Sequence, residues 1–168
     1  TRHKAGFLLV ERLAEQWRTP WAVERKFQAR TARAEREGRR VLLVQPQTFM
    51  NLSGEAVGAI SGFYRVTPAR VLVAVDDADL PLGEIRLRPG GGNGGHHGLE
   101  SVTQHLATSD YPRLRLGIGR RDPAVREITG HVLGKFGAEE QELLAQMLAR
   151  AGDQIGCWLG AGIQKAMS

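Results

Sequence analysis

Residues 84–106 read EIRLRPGGGNGGHHGLESVTQHL. The first five, Glu84 to Arg88, alternate apolar with charged side chains, the pattern of a half-buried strand. The last eight, Leu99 to Leu106, have helical spacing. Between them Pro89 to Gly98 hold six glycines, Asn93, His96 and His97. Glycine this dense admits positive φ and a close approach of backbone to a ligand, at an entropic cost on folding. A strand-to-helix loop of this composition is the kind of loop that serves a site.

Outward from this stretch, strands alternate with helices. Upstream, Val71 to Val75 is a continuous β-branched run, expected to be buried on both faces. Downstream, Leu114 to Ile118 is a further strand that alternates with arginine. Val41 to Val44 is an apolar strand preceded by the turn pair Glu37-Gly38, so with the charged and small residues of Lys26 to Ala34 it forms a hairpin with one exposed arm. Helical patterns cover Gly6 to Trp17, Ser53 to Tyr64 with Ser53 as N-cap and Pro68 just beyond, and Ala138 to about Leu159, where Glu139, Glu140 and Glu142 favour the helix dipole. The expectation is an α/β fold: one domain over residues 1–168, a three-layer sandwich with a twisted mixed β-sheet between helices.

The 168 residues, 42% hydrophobic and 24% charged, suit one globular domain. No apolar run is long enough to span a bilayer. Charges throughout residues 1–20 argue against a signal peptide and for a cytoplasmic protein. Cys157 is the lone cysteine, which excludes an intrachain disulfide. Lys and Arg number 23 against 18 Asp and Glu, a net +5. Solubility accounts for such a charge, but Arg86, Arg88, Arg113, Arg115, Arg120 and Arg121 flank the glycine loop in sequence. A guanidinium fork suits phosphate, so a polyanionic substrate fits this rim.

Several chemistries compete for these residues. The glycine string satisfies G-x-G-x-x-G, but a dinucleotide site also wants an acidic residue after the next strand. Asp110, followed by Tyr111 and Pro112, stands before a strand instead. His96 and His97 lack the spacing of zinc ligands, so no metal is expected. Asp76-Asp77-Ala78-Asp79 follows a buried strand, where a carboxylate can support a histidine acting as general base; Asp side chains also build turns. Asn51 precedes a helix, where it either caps or binds a carbonyl or water. Phe49 is either core or a platform for a base. No G-x-S-x-G elbow is present, and Cys157 sits in a helical pattern, so a nucleophilic serine or cysteine is not expected.

Together, Thr1-Arg2-His3, PQTFMNLSGEAV, VDDADLPLGEIRLRPGGGNGGHHGLES, YPRLRLGIGR and VLGKF resemble bacterial-type peptidyl-tRNA hydrolases, in order and spacing, from Thr1 to about Lys165. The resemblance implies a monomeric, metal-free and cofactor-free cytoplasmic enzyme. It would cleave the ester between peptide and tRNA in peptidyl-tRNA released from ribosomes. It implies His3 as the base that activates water and Asp76 as its support. It also implies Asn51 and His97 beside the scissile ester, Phe49 against the terminal nucleotide, and Arg88 and Arg115 on tRNA phosphate.

The chain departs from that pattern in three places. The family has a strand and a Gly-Asn-Pro-Gly loop ahead of the Thr-Arg-His motif, and that strand is interior to the sheet. Lys4 stands where the family has asparagine, beside His3, where a cation lowers a histidine pKa. His97 stands where the family has asparagine, and imidazole lacks the amide's paired donor and acceptor. A relative that binds RNA without hydrolysing it is the alternative these departures allow.

Overall fold

The computed structural model describes residues 5–119 and 137–168. In chain order they form α1 (Ala5–Gln16), β1 (Ala22–Glu24), β2 (Ala29–Arg36), β3 (Arg39–Pro46), α2 (Ser53–Phe63), β4 (Val73–Asp77), β5 (Ile85–Arg88), α3 (His97–Leu106), β6 (Arg113–Gly117), α4 (Ala138–Ala161) and α5 (Ile163–Met167). The fold is mixed α/β, as the alternating sequence pattern indicates. His3, Lys4, Arg120, Arg121 and the VLGKF stretch lie outside the described residues.

β2 and β3 pair antiparallel around Glu37 and Gly38. Both residues have positive φ, at 53° and 71°, the backbone of a two-residue hairpin turn that matches strand twist. β1, a strand of three residues that the sequence reading missed, adds to the outer edge of β2 and gives the order β1-β2-β3. The other strands run β4-β6-β5, with β4 parallel and β5 antiparallel to β6. That second sheet has the mixed character expected.

Among the described residues the ladders form two three-stranded sheets rather than one. The end strands β3 and β4 do not pair, and both line a cavity of about 1210 Å³. This accounts for a second difference. The run Val71 to Val75 was expected to be buried on both faces, yet in β4 only Val75 is fully buried. A strand at a sheet edge facing a cavity has no neighbour to cover its flank. The strand also starts later and extends through Asp76 and Asp77.

The largest core cluster packs α1 and α4 on both sheets. It joins Leu9 and Leu13 to Leu43, Leu114, Leu116 and Met147. Each such side chain contributes about 1.5–3 kcal/mol on full burial. α1 lies so close to β4 that a Cβ on Gly6 would stand 2.5 Å from the carbonyl oxygen of Ala74. Only glycine allows that approach, and it seats the start of α1 two residues from Asp76. α2 packs on the hairpin sheet through Ala56 and Ile60 against Phe27 and Ala29. α3 packs through Leu99 and Val102 against Val75 and Tyr111. The backbone N–H of Gly54, in α2, donates to Ser101 Oγ, in α3, at 2.9 Å.

Candidate functional site

β4 ends in two carboxylates with different tasks. Asp77 Oδ1 accepts from the N–H of Asp79 at 2.8 Å, and its carbonyl accepts from Ile118 N at 3.1 Å. The turn reading therefore belongs to Asp77. Asp76, half-buried, lines the cavity together with Gly6, Thr48, Ser53 and Gly98. A carboxylate at the carboxyl end of an α/β strand, open to a cavity, is well placed for chemistry.

Phe49 and Asn51 lie on the segment that joins two of those lining residues, Thr48 and Ser53. Residues 50–52 form one 3-10 turn, with Leu52 N donating to Phe49 O at 2.9 Å. The N-cap of α2 is Leu52, which makes no side-chain cap bond. Ser53 is thus the first residue of the helix and not its cap, and Asn51 does not cap it either. Asn51 is exposed, and Phe49 is 79% exposed, so Phe49 is not core. The Thr48 hydroxyl is buried with no hydrogen-bond partner. The sequence reading passed over it, because a threonine between Gln47 and Phe49 carries no spacing signal.

The glycine loop is held from beneath by Arg113, which is 1% exposed. Its guanidinium donates to the carbonyls of Gly91 at 2.9 Å, Gly92 at 3.2 Å, Ser109, and Tyr111 at 3.3 Å. The Tyr111 ring lies 4.1 Å away as a cation–π partner. Burial pushes the Arg113 pKa down, with Tyr111 and Asp110 opposing and the Arg115 charge lowering it further. An arginine starts far enough above neutrality to stay charged even so. The sequence places Arg113 on the basic rim; the structure makes it an internal tie. The signal was its place at the start of a strand, directly after Tyr111-Pro112.

Arg115 is a second tie. Its Nη1 lies 3.5 Å from Asp77 Oδ2, and its Nη2 donates to Gly92 O at 3.0 Å. Its side chain is 19% exposed. Arg88 is exposed, with Nη1 donating to Leu87 O at 2.8 Å. Within the loop Gly91, Gly94 and Gly95 have φ of 131°, 60° and 80°, which L side chains rarely adopt. Asn93 Oδ1 accepts from Gly95 N at 2.8 Å.

The two histidines diverge. His96 is the N-cap of α3, and its Nδ1 accepts from Leu99 N at 3.2 Å. In the neutral ring this puts the proton on Nε2. His97, the first residue of α3, is 76% exposed, with Nδ1 3.9 Å from Glu100 Oε2. Ser53 and Gly98 bring the starts of α2 and α3 to the lining of the cavity. Two helix N-termini there favour negative charge. The structure thus places Asp76, Thr48 and the two helix starts on the lining of one cavity, with Phe49, Asn51 and His97 next to them in the chain. Arg88 and Arg115 belong to the sheet beside the loop. Among the described residues no three His, Cys, Asp or Glu side chains gather to hold a metal ion, and no helix is long and apolar enough to cross a membrane.

The whole chain, residues 1–168, matches the family model described as peptidyl-tRNA hydrolase. It is 45% identical over 168 residues to the peptidyl-tRNA hydrolase of Synechococcus sp. (strain JA-3-3Ab), covering 100% of this chain and 74% of that one. It is 46% identical to that of Trichlorobacter lovleyi, covering 100% and 86%. A crystal structure of peptidyl-tRNA hydrolase from Acinetobacter baumannii superposes with a TM-score of 0.87 at 38% identity, covering 99% of this chain and 84% of that one.

Proposed function

The chain belongs to the peptidyl-tRNA hydrolase family, and from that premise we propose that it hydrolyses the ester between peptide and tRNA with His3 as general base and Asp76 as its support. The observation that carries the residue assignment is Asp76 itself. It stands at the carboxyl end of β4, on the cavity that Thr48, Ser53 and Gly98 also line. His3 is supported by the seating of Gly6 on Ala74, since the Thr-Arg-His motif immediately precedes α1.

In this reading neutral His3 takes a proton from water as the water attacks the ester carbonyl. Asp76 stabilises the imidazolium that forms. Charge developing on the carbonyl oxygen is met by the helix starts at Ser53 and His97 and by side-chain donors, Asn51 and His97. The tetrahedral intermediate collapses, and the ribose 3′ oxygen leaves with the proton His3 had taken. Phe49, exposed on the 3-10 turn, offers a face for the terminal nucleotide. Arg88 meets phosphate. Arg115 reaches phosphate only beside its existing partners, Asp77 and Gly92, and otherwise holds the loop. The enzyme works as a cytoplasmic monomer without metal or cofactor, recycling tRNA from peptidyl-tRNA released by ribosomes.

The test is release of tRNA from an N-blocked aminoacyl-tRNA. Activity that disappears in His3→Ala with tRNA binding intact supports the assignment. Normal turnover by that variant sinks it. Firm tRNA binding with no hydrolysis by the unmodified chain indicates the non-catalytic relative instead.

A further inference from the structure

The positive charge of this chain is concentrated in one segment. Residues 18–70 hold ten Lys and Arg against four Glu, a net +6, whereas the whole chain carries +5. Everything else is therefore close to neutral. The basic segment is mostly the hairpin sheet and α2, and there four of the ten cations are mounted on aromatic rings.

One group is continuous. Lys26 Nζ lies 4.1 Å over the Phe63 ring and 5.0 Å over Phe27. Phe63 stands edge-on to Phe27 at 5.5 Å and to Tyr64 at 4.9 Å. Arg33 Nη2 donates to Tyr64 Oη at 2.7 Å. Lys26, Arg33, Phe63 and Tyr64 are all exposed, Phe63 at 59%. Neither Lys26 nor Arg33 pairs with a carboxylate of a described residue. Two cations are thus held in fixed positions by rings, with no internal anion to neutralise them. A cation–π contact preserves the charge while restricting the side chain, so less freedom is lost when an anion binds.

We propose that the Lys26–Phe63–Tyr64–Arg33 cluster binds the phosphate backbone of the tRNA body, away from its 3′ end. The proposal rests on the substrate being a tRNA. The cluster lies at the last turn of α2, and its Arg33 and Tyr64 line the same cavity as Ser53, the first residue of that helix. Eleven residues at 1.5 Å each set the two ends about 16 Å apart. One RNA seated at the cavity extends that far. The repeating charge of a phosphodiester chain suits two cations in fixed positions. A bilayer fits less well, because the rings support cations and present no continuous apolar face for insertion.

The experiment measures binding of deacylated tRNA, and of a trinucleotide matching its 3′ end, to the wild-type chain and to the Lys26→Gln/Arg33→Gln variant. It is run between about 50 and 200 mM salt. The double variant is expected to lose about five- to tenfold in tRNA affinity and to flatten the log–log salt slope by about 2, one unit per lost phosphate contact. Trinucleotide binding is expected to stay unchanged, and Lys26→Arg with Arg33→Lys to keep the wild-type slope. Unchanged tRNA affinity and slope overturn the proposal. Equal losses on tRNA and trinucleotide overturn it by moving the contact to the 3′ end. A loss seen only on phosphatidylserine vesicles overturns it in favour of a membrane. A wild-type chain that binds no tRNA at all breaks the substrate reading, whereas intact wild-type binding with an indifferent variant breaks the cluster alone.

Discussion

The two sheets use their cations in different ways. Beside β6, Arg113 is buried under four backbone carbonyls, and Arg115 is paired with Asp77 and the loop. On the hairpin sheet Lys26, Arg30, Arg33 and Arg36 rest on the rings of Phe63, Trp21, Tyr64 and Trp17. The first set is internal to the protein, and the second faces outward. Basic residues next to a site in sequence are therefore not the same as basic residues available to a polyanion. A buried guanidinium answers carbonyls; a ring-mounted one retains an unspent charge.

The sharpest way to break this division is at the chemistry it leaves to the loop side. His3→Ala or Asp76→Ala is expected to lower the single-turnover hydrolysis rate by about 10²–10⁴-fold while tRNA affinity holds. A base at His3 also requires the rate to fall on acidification with a one-proton dependence. A decline on alkalinisation instead would reverse the assignment. Next comes Arg113→Leu, which removes a donor from four carbonyls, of which only Gly92 O, through Arg115, and Ser109 O, through the N–H of Gly91, keep another. A loss of about 3 kcal/mol in denaturant unfolding is expected. Lys26→Gln is expected to leave stability within about 0.5 kcal/mol. If both variants melt alike, the internal and outward classes are not distinct.

The smallest effect is expected at Asn51. Because α2 takes its N-cap from Leu52, Asn51→Ala should reduce kcat/KM with Tm nearly unchanged. A matching fall in Tm would restore a capping role.

What the chain disclosed before any coordinates is instructive element by element. The Glu37-Gly38 turn, the strand–glycine loop–helix unit and the long C-terminal helix were legible, because turn chemistry and periodicity are local. Val71 to Val75 read as doubly buried because composition reports hydrophobicity and not neighbours; the neighbour on one side is a cavity. Ser53 read as a cap because serine caps helices often, but the preceding 3-10 turn had already bent the chain into the helix one residue earlier. Arg115 was indistinguishable from Arg88 in sequence, and Arg113 differed only by its place directly after Tyr111-Pro112. Only the carbonyls brought beneath the loop by the fold separate them. Thr48 carried no signal at all, since its meaning is a hydroxyl enclosed without a partner.

The tie beneath the glycine loop bears on the timing of an entropy cost. Each residue fixed in one backbone conformation costs about 1–2 kcal/mol, and glycine gives up the most freedom. Left slack, a loop with Gly91, Gly94 and Gly95 at positive φ would have to be ordered at every encounter with a ligand. Arg113, anchored on four carbonyls, moves that ordering into the folding step, once per molecule rather than once per turnover. Glycine here supplies shape and not looseness. Any ligand that meets this loop finds the Gly91 and Gly92 carbonyls already tied to Arg113.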